Sequence, residues 1–593
     1  MRGLALALAF GCTAVLMGAP NADAFCGFYV APGDKPLYND ATMVALMREG
    51  TRTVITMSNN YKGPAASFAM VVPVPVVLQK DDVKTLNKAV FTHLEELTAP
   101  RLVEYWEQDP CPPPVMFGDD RLSGGGLFPG GGGGPSMAPT ASPKRDYGVT
   151  IEAKFEVGEY DILVLGAKES DGLEAWLTDN KYNIPKGASS ALAPYIKEGM
   201  KFFVAKIDIT KVKLDKQGVA QLSPLRFQYE TPDFRLPVRL GLLNAHGKQD
   251  LIVFTLSKGT RYDVANYPNV FIPTNLEVKD ETRKSFGPFY AALFDEAVKA
   301  GSGKAIVTEY SWQATSCDPC PTPPLSMTDV ATLGGDVLFG MASAAPPPAA
   351  VGPGGSPMSR RPGGGMSGGF YGIASGMVLT RLHARYDSTT LTDDLVFRAA
   401  PSVVGGRELY TGVKASLEQG ASPASMNNFQ ARYIIRHPWT GPMTCQFPQR
   451  GVWGGPPSGE QPKAVAATGL ASAARGGVKL ETLLKSPMPL VAIIEPSPVL
   501  PVPSAVAPSA SASASVAPIA SIAPPASASA LPVSSATPAD SASASPATVP
   551  SVSPSQNHGC GCATPGVGST EVSLIGGSGA ALLLVGLRRR RRS

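Results

Sequence analysis

Taken as a run of apolar and polar positions, the chain consists mostly of short strand-like stretches between turn residues. Residues 42–48 alternate, Glu49-Gly50-Thr51 turns, and 52–57 returns, which predicts a hairpin. Phe68, Met70, Val71, Val72, Val74, Val76 and Val77 make 67–78 another strand. Pro73 and Pro75 remove ladder donors there and predict an edge or bulged position. A second hairpin is expected from 149–157 and 160–165 about Gly158, and 102–106, 201–209, 225–229, 238–243, 251–256, 306–312, 371–386 and 429–435 extend the sheet. Helical spacing is scarcer: Leu86, Val90, Leu94 and Leu97 predict one helix, with others over 173–179, 189–198 and 286–299. The expected fold is therefore β-rich α+β, an antiparallel sheet domain with few peripheral helices.

Composition divides this pattern. Gly-rich 118–142 and Gly/Pro-rich 341–369 read as linkers, splitting the domain into 25–117, 143–340 and 370–456, with 457–496 as its extension. Residues 497–555 are almost wholly Ala, Ser, Pro and Val, with Asp540 the only charge. Such a segment cannot bury a core. As an extended polyproline stalk its 59 residues reach at most ~180 Å.

Both ends carry address patterns. Arg2, an apolar run over 4–17 and Ala22-Asp23-Ala24 form a secretory signal cleaved after Ala24. The other end has Gly559-Cys560-Gly561-Cys562, an apolar run over 572–587 and arginines from Arg588 to Arg592. That run gives a helix of about 24 Å, short of a bilayer core of ~30 Å, and Gly576, Gly577 and Gly579 weaken it. The arginines favour the cytoplasmic side. The tail resembles the sorting tails called MYXO-CTERM. The resemblance implies a membrane-embedded sorting protease as a partner, cleavage near the cysteines, and a product anchored at the cell surface or outer membrane, with Cys560 or Cys562 as the sorting or lipidation position. A retained single-pass helix is the alternative.

Without the signal and tail charges, Lys+Arg and Asp+Glu are equal at 46 each. A neutral chain without a basic stripe argues against nucleic-acid partners. Cys26, Cys111, Cys317, Cys320 and Cys445 remain as disulfide candidates, an odd number, in a chain addressed to an oxidising compartment. The expected bridges join Cys111 to one of Cys317 and Cys320, and Cys26 to Cys445. Cys317-Asp318-Pro319-Cys320 also has redox-motif spacing, while zinc lacks a second such pair or two histidines.

Phe25-Cys26-Gly27-Phe28-Tyr29, Met47-Arg48-Glu49-Gly50-Thr51-Arg52-Thr53, residues 68–77, Asp109-Pro110-Cys111, the stretch from Trp176 to Tyr195 with Gly199-Met200-Lys201-Phe202, and His437-Pro438-Trp439-Thr440-Gly441 resemble domain-of-unknown-function family 2330, over about 25–456. The family implies no activity and supplies no catalytic residue. Local motifs add little. His93 and Glu96 have metal-ligand spacing without a second helix of partners. Gly247-Lys248-Gln249 and Gly301-Ser302-Gly303-Lys304 are imperfect phosphate loops. Asp34, Asp393 and Asp394 could meet a histidine only through the fold. His437 and Trp439 are candidate ligand contacts, or Trp439 closes the sheet near Cys445. No metal or cofactor is expected. The resulting expectation is an exported, surface-anchored binding or structural module, more in keeping with a non-enzyme. An exported hydrolase assembled from distant carboxylates, or a thiol-redox protein using Cys317 and Cys320, is the alternative.

Overall fold

A computed structural model describes residues 28–496, apart from 31–37, 40–41, 59–60, 63–67, 112–146, 181, 183, 186, 215–219, 245–246, 342–375, 408–409, 412–415, 460–463, 467 and 470–474. The signal, Cys26, Asp34, most of both linkers, the stalk and the tail with Cys560, Cys562 and the 572–587 span lie outside the described residues. Among the described residues no helix is long and apolar enough to cross a membrane.

The strands that build the layers are β1 (Phe28–Val30), β2 (Thr42–Glu49), β3 (Arg52–Ser58), β4 (Ala69–Val74), β5 (Arg101–Glu107), β6 (Val149–Val157), β7 (Tyr160–Ala167), β8 (Lys201–Ile207), β9 (Leu225–Glu230), β10 (Gln249–Lys258), β11 (Ile306–Gln313), β12 (Met377–Tyr386), β13 (Asn428–Gln430) and β14 (Arg432–His437). The helices are α1 (Ala89–Thr98), α2 (Ser170–Asp179), α3 (Ala188–Lys197) and α4 (Phe286–Ala300). One sheet has the order β1-β4-β8-β7-β6. A larger one runs from Ser422–Pro423 and Val403–Gly405 through β13-β11-β12-β10-β2-β3-β9 to Val83–Thr85. Most ladders are antiparallel, but β2 lies parallel to β10, and β5 parallel to β14 in a smaller third sheet.

Alternation along the strands sets the layering, because successive side chains leave opposite faces. Val44, Leu46, Leu251 and Val253 of the large sheet meet Met70, Val72, Ile162, Val164, Phe203 and Ala205 of the five-stranded sheet. The intervening residues serve the outer faces. Val71, Leu165, Phe202 and Val204 pack under α2 and α3. Ala45, Met47, Ile252 and Phe254 pack under α1, and Val307 and Phe429 under α4. The result is four layers, helices–sheet–sheet–helices, in keeping with the β-rich α+β expectation.

Three local expectations change. The 67–78 strand is β4, which is paired on both sides rather than lying at an edge. Among the described residues Pro73 has a partner only in β8, where its missing donor costs no bond on the other side, and Pro75 lies beyond the strand. The 238–243 stretch is a 3-10 turn, Arg239–Asn244, because the Asp394 carboxylate accepts from the amides of Val238 at 2.9 Å and Arg239 at 3.3 Å. The first predicted helix starts three residues late, at Ala89, where the Asn87 side chain accepts from the Ala89 amide at 2.9 Å.

Candidate functional site: a charged seam ending in a basic pocket

Between the apolar cores under α1 and α4, the large sheet carries ionisable residues where its pattern calls for apolar ones. Arg381, His383 and Arg385 alternate with Leu382 and Ala384 along β12, so all three leave the same face. Glu309 joins them because the β11–β12 register shifts between Thr308 and Tyr310. Arg381, His383 and Glu309 are 0% exposed.

These groups satisfy one another. The Arg381 Nε donates to Glu309 Oε2 at 2.6 Å. His383 Nδ1 lies 2.8 Å from Glu309 Oε1, and its Nε2 lies 3.0 Å from Asp250 Oδ1. The Tyr290 hydroxyl of α4 donates to the same Glu309 oxygen, and the Phe294 ring lies 4.1 Å from the imidazole. Burial alone would lower the His383 pKa, but the Glu309 charge and the hydrogen bonds to Asp250 and Glu309 outweigh it and raise it. Burial alone would raise Glu309, and the charges of His383 and Arg381 carry it below the ordinary carboxylate value. His383 is thus held as an imidazolium donating to two carboxylates. A ring with both nitrogens protonated has no lone pair with which to accept a proton.

Asp250 carries the seam to the surface. Arg385 donates to its Oδ2, Arg475 donates to its Oδ1 at 3.2 Å, and Arg475 also donates to Asp295 of α4. Here a pocket of about 630 Å³ opens, walled by Lys248, Arg385, Arg475 and Lys299 around Asp295, with Ser302 at the turn after α4. The two imperfect phosphate-loop segments of the sequence therefore meet at one pocket, through Lys248 on one side and Ser302-Gly303 on the other.

At the other end of the seam, Arg381 Nη1 reaches Thr98 Oγ1 at 3.4 Å, next to a second buried row. Arg101 donates to the carbonyls of Leu97 at 2.6 Å and Pro319 at 2.9 Å. Gln430 donates to the carbonyls of Asp318 and, at 3.0 Å, Gly406. Arg432 donates to Asn275 and Tyr105, both at 2.7 Å. Burial lowers the Arg101 pKa to about 10 against the opposing influence of Tyr310.

Cys111 is bonded to Cys445, and Cys317 to Cys320. Both bonds correct the expected pairing: Cys111 does not take a partner from the Cys-x-x-Cys loop, and Cys445 is not left for Cys26. The register explains the first bond, since β5 and β14 run parallel and side by side, and Cys111 and Cys445 lie in the segments that leave them. His437 stacks on Trp106 at 4.7 Å and lies 2.8 Å from Glu104, itself paired with Arg283. Trp439 is half-buried, and its amide donates to Glu107 at 3.0 Å. Asp394 takes the Tyr195 hydroxyl at 2.7 Å and Asp393 lies 3.4 Å from Arg239, and among the described residues neither is paired with a histidine. His93 lies 2.7 Å from the Pro323 carbonyl, and among the described residues no group of three His, Cys, Asp or Glu could hold a metal. The alternating Arg381, His383 and Arg385 were the sequence signal for the seam; partners from five other segments were not readable.

Fold and seam together define a disulfide-braced, four-layer α+β domain with an ionic interior. The chain belongs to domain-of-unknown-function family 2330, described as uncharacterised proteins conserved in bacteria, whose model matches residues 20–398. The match ends before β13, β14 and the His437-Pro438-Trp439 segment. No curated protein and no solved structure matches the chain significantly.

Proposed function

We propose that this protein is exported and held at the cell surface as a binding module, with the basic pocket as its ligand site. The signal pattern, the Ala/Ser/Pro stalk and the cysteine-apolar-arginine tail support the location, and the membrane and a sorting protease are the partners they imply. Two disulfide pairs suit an oxidising compartment. The observation that favours binding over hydrolysis is the state of His383. It is enclosed, and its two ring nitrogens are taken up by Glu309 at 2.8 Å and Asp250 at 3.0 Å, so the carboxylates gathered near the pocket serve to hold cations rather than to activate water.

The test is protease treatment of intact cells, followed by fractionation of a strain with Cys560→Ser and Cys562→Ser. The wild-type domain should be cleaved from outside, and the double variant should be lost from the surface. A chain protected inside the cell with reduced thiols would overturn the reading.

The thiol-redox alternative has one observation in its favour, the exposed Cys320 bonded to Cys317. Against it, the carbonyls of Asp318 and Pro319 hold the buried Gln430 and Arg101, so the loop works as a lid over the second row.

A further inference from the structure

We propose that the pocket at the outer end of the seam binds a phosphate group, carried by a small phosphate ester or by a lipid headgroup. This names a ligand class for the binding module proposed above and rests on that reading. Four cations, Lys248, Arg385, Arg475 and Lys299, wall the pocket, against Asp295 in the wall and Asp250 behind it. Lys299 also pairs with Glu296 at 3.2 Å, so four cations face three carboxylates and the surplus is one positive charge, spread over separate side chains that the several oxygens of a phosphate can reach together and a single carboxylate cannot.

The arginines are already fixed in place. Arg385 is held by Asp250, and Arg475 by Asp250 and Asp295, so little side-chain freedom remains to be lost on binding. Lys248 and Lys299 are exposed point charges of the kind that cradle phosphate, and Ser302 adds a hydroxyl.

One feature opposes an anion. The pocket lies at the C-terminal end of α4, where the helix presents roughly half a negative charge. The amides of Ser302, Gly303 and Lys304 occupy the carbonyls of Lys299, Val298 and Gly301, which blunts that end, and the surplus of one charge exceeds what remains. The site is thus a cationic pocket rather than a phosphate loop at a helix N-terminus.

The test is calorimetry on the full mature chain at low salt, with inorganic phosphate, glycerol phosphate and acetate as titrants. A parallel arm measures sedimentation with vesicles of phosphatidic acid in phosphatidylcholine against phosphatidylcholine alone. Binding in either phosphate arm supports the proposal, and the responding arm identifies the source. Lys248→Gln with Lys299→Gln should weaken the phosphate interaction on the order of tenfold and shift the melting midpoint in phosphate-free buffer only slightly, since both side chains are exposed and the Lys299–Glu296 pair is a surface one. Acetate binding as tightly as phosphate, no binding in either phosphate arm, or binding indifferent to the two substitutions would overturn it. A domain reached by protease on intact cells but inert to phosphate would reject the ligand class alone. A domain confined inside the cell would instead reject the surface reading.

Discussion

Glu309 accepts from Arg381, His383 and Tyr290 in a region closed to solvent, so its charge holds two buried cations at once. Glu309→Gln leaves Arg381 without its carboxylate and His383 with Asp250 alone, and should cost about 3–5 kcal/mol in urea denaturation, whereas an exposed pair such as Lys299–Glu296 should give under about 1 kcal/mol. The pH dependence follows from the two shifts. His383 has a raised pKa, so its contribution is complete below the ordinary value of 6.5 and is lost as pH rises through the folded value. Glu309 has a lowered pKa, so its contribution is complete above the ordinary 4.5 and is lost as pH falls through the folded value. Stability from the seam should therefore be level between 4.5 and 6.5 and decline on the alkaline side, and His383→Gln should flatten that decline in thermal melts across pH.

At the scale of the element, strand and helix positions were largely legible because alternation reports which face is buried. The hairpin β2–β3, the hairpin β6–β7 and helix α4 stand where the periodicity put them. What it could not report was pairing. Nothing in residues 67–78 says that β1 and β8 will flank this strand on both sides, and nothing in 238–243 says that Asp394, far along the chain, will cap a turn there. The cysteines failed for the same reason: their partners depend on which strands lie side by side. Cys111 and Cys445 close a loop across 334 residues, and Cys317 and Cys320 one across 3. Because a crosslink stabilises more the longer the loop it closes, Cys111→Ser with Cys445→Ser should cost about 2–5 kcal/mol, and Cys317→Ser with Cys320→Ser distinctly less, by chemical denaturation under non-reducing conditions.

For the whole molecule, the seam stayed hidden because its members come from six separate stretches of sequence. The family match stops at 398, yet β13 pairs with β11 in the large sheet and β14 with β5 in the small one, one residue apart at Ala431. A fragment ending at 398 would expose the β11 edge and the Phe429 and Tyr433 side of the α4 core; it should be recovered aggregated, while a fragment ending at 496 stays monodisperse by gel filtration. Ala431 also imposes a timetable. Whichever way the polypeptide is delivered, vectorially from its first residue, neither sheet acquires its last neighbour until more than four hundred residues have emerged. Helpers that keep sticky, half-built layers apart must therefore remain engaged until the strands on either side of Ala431 have emerged.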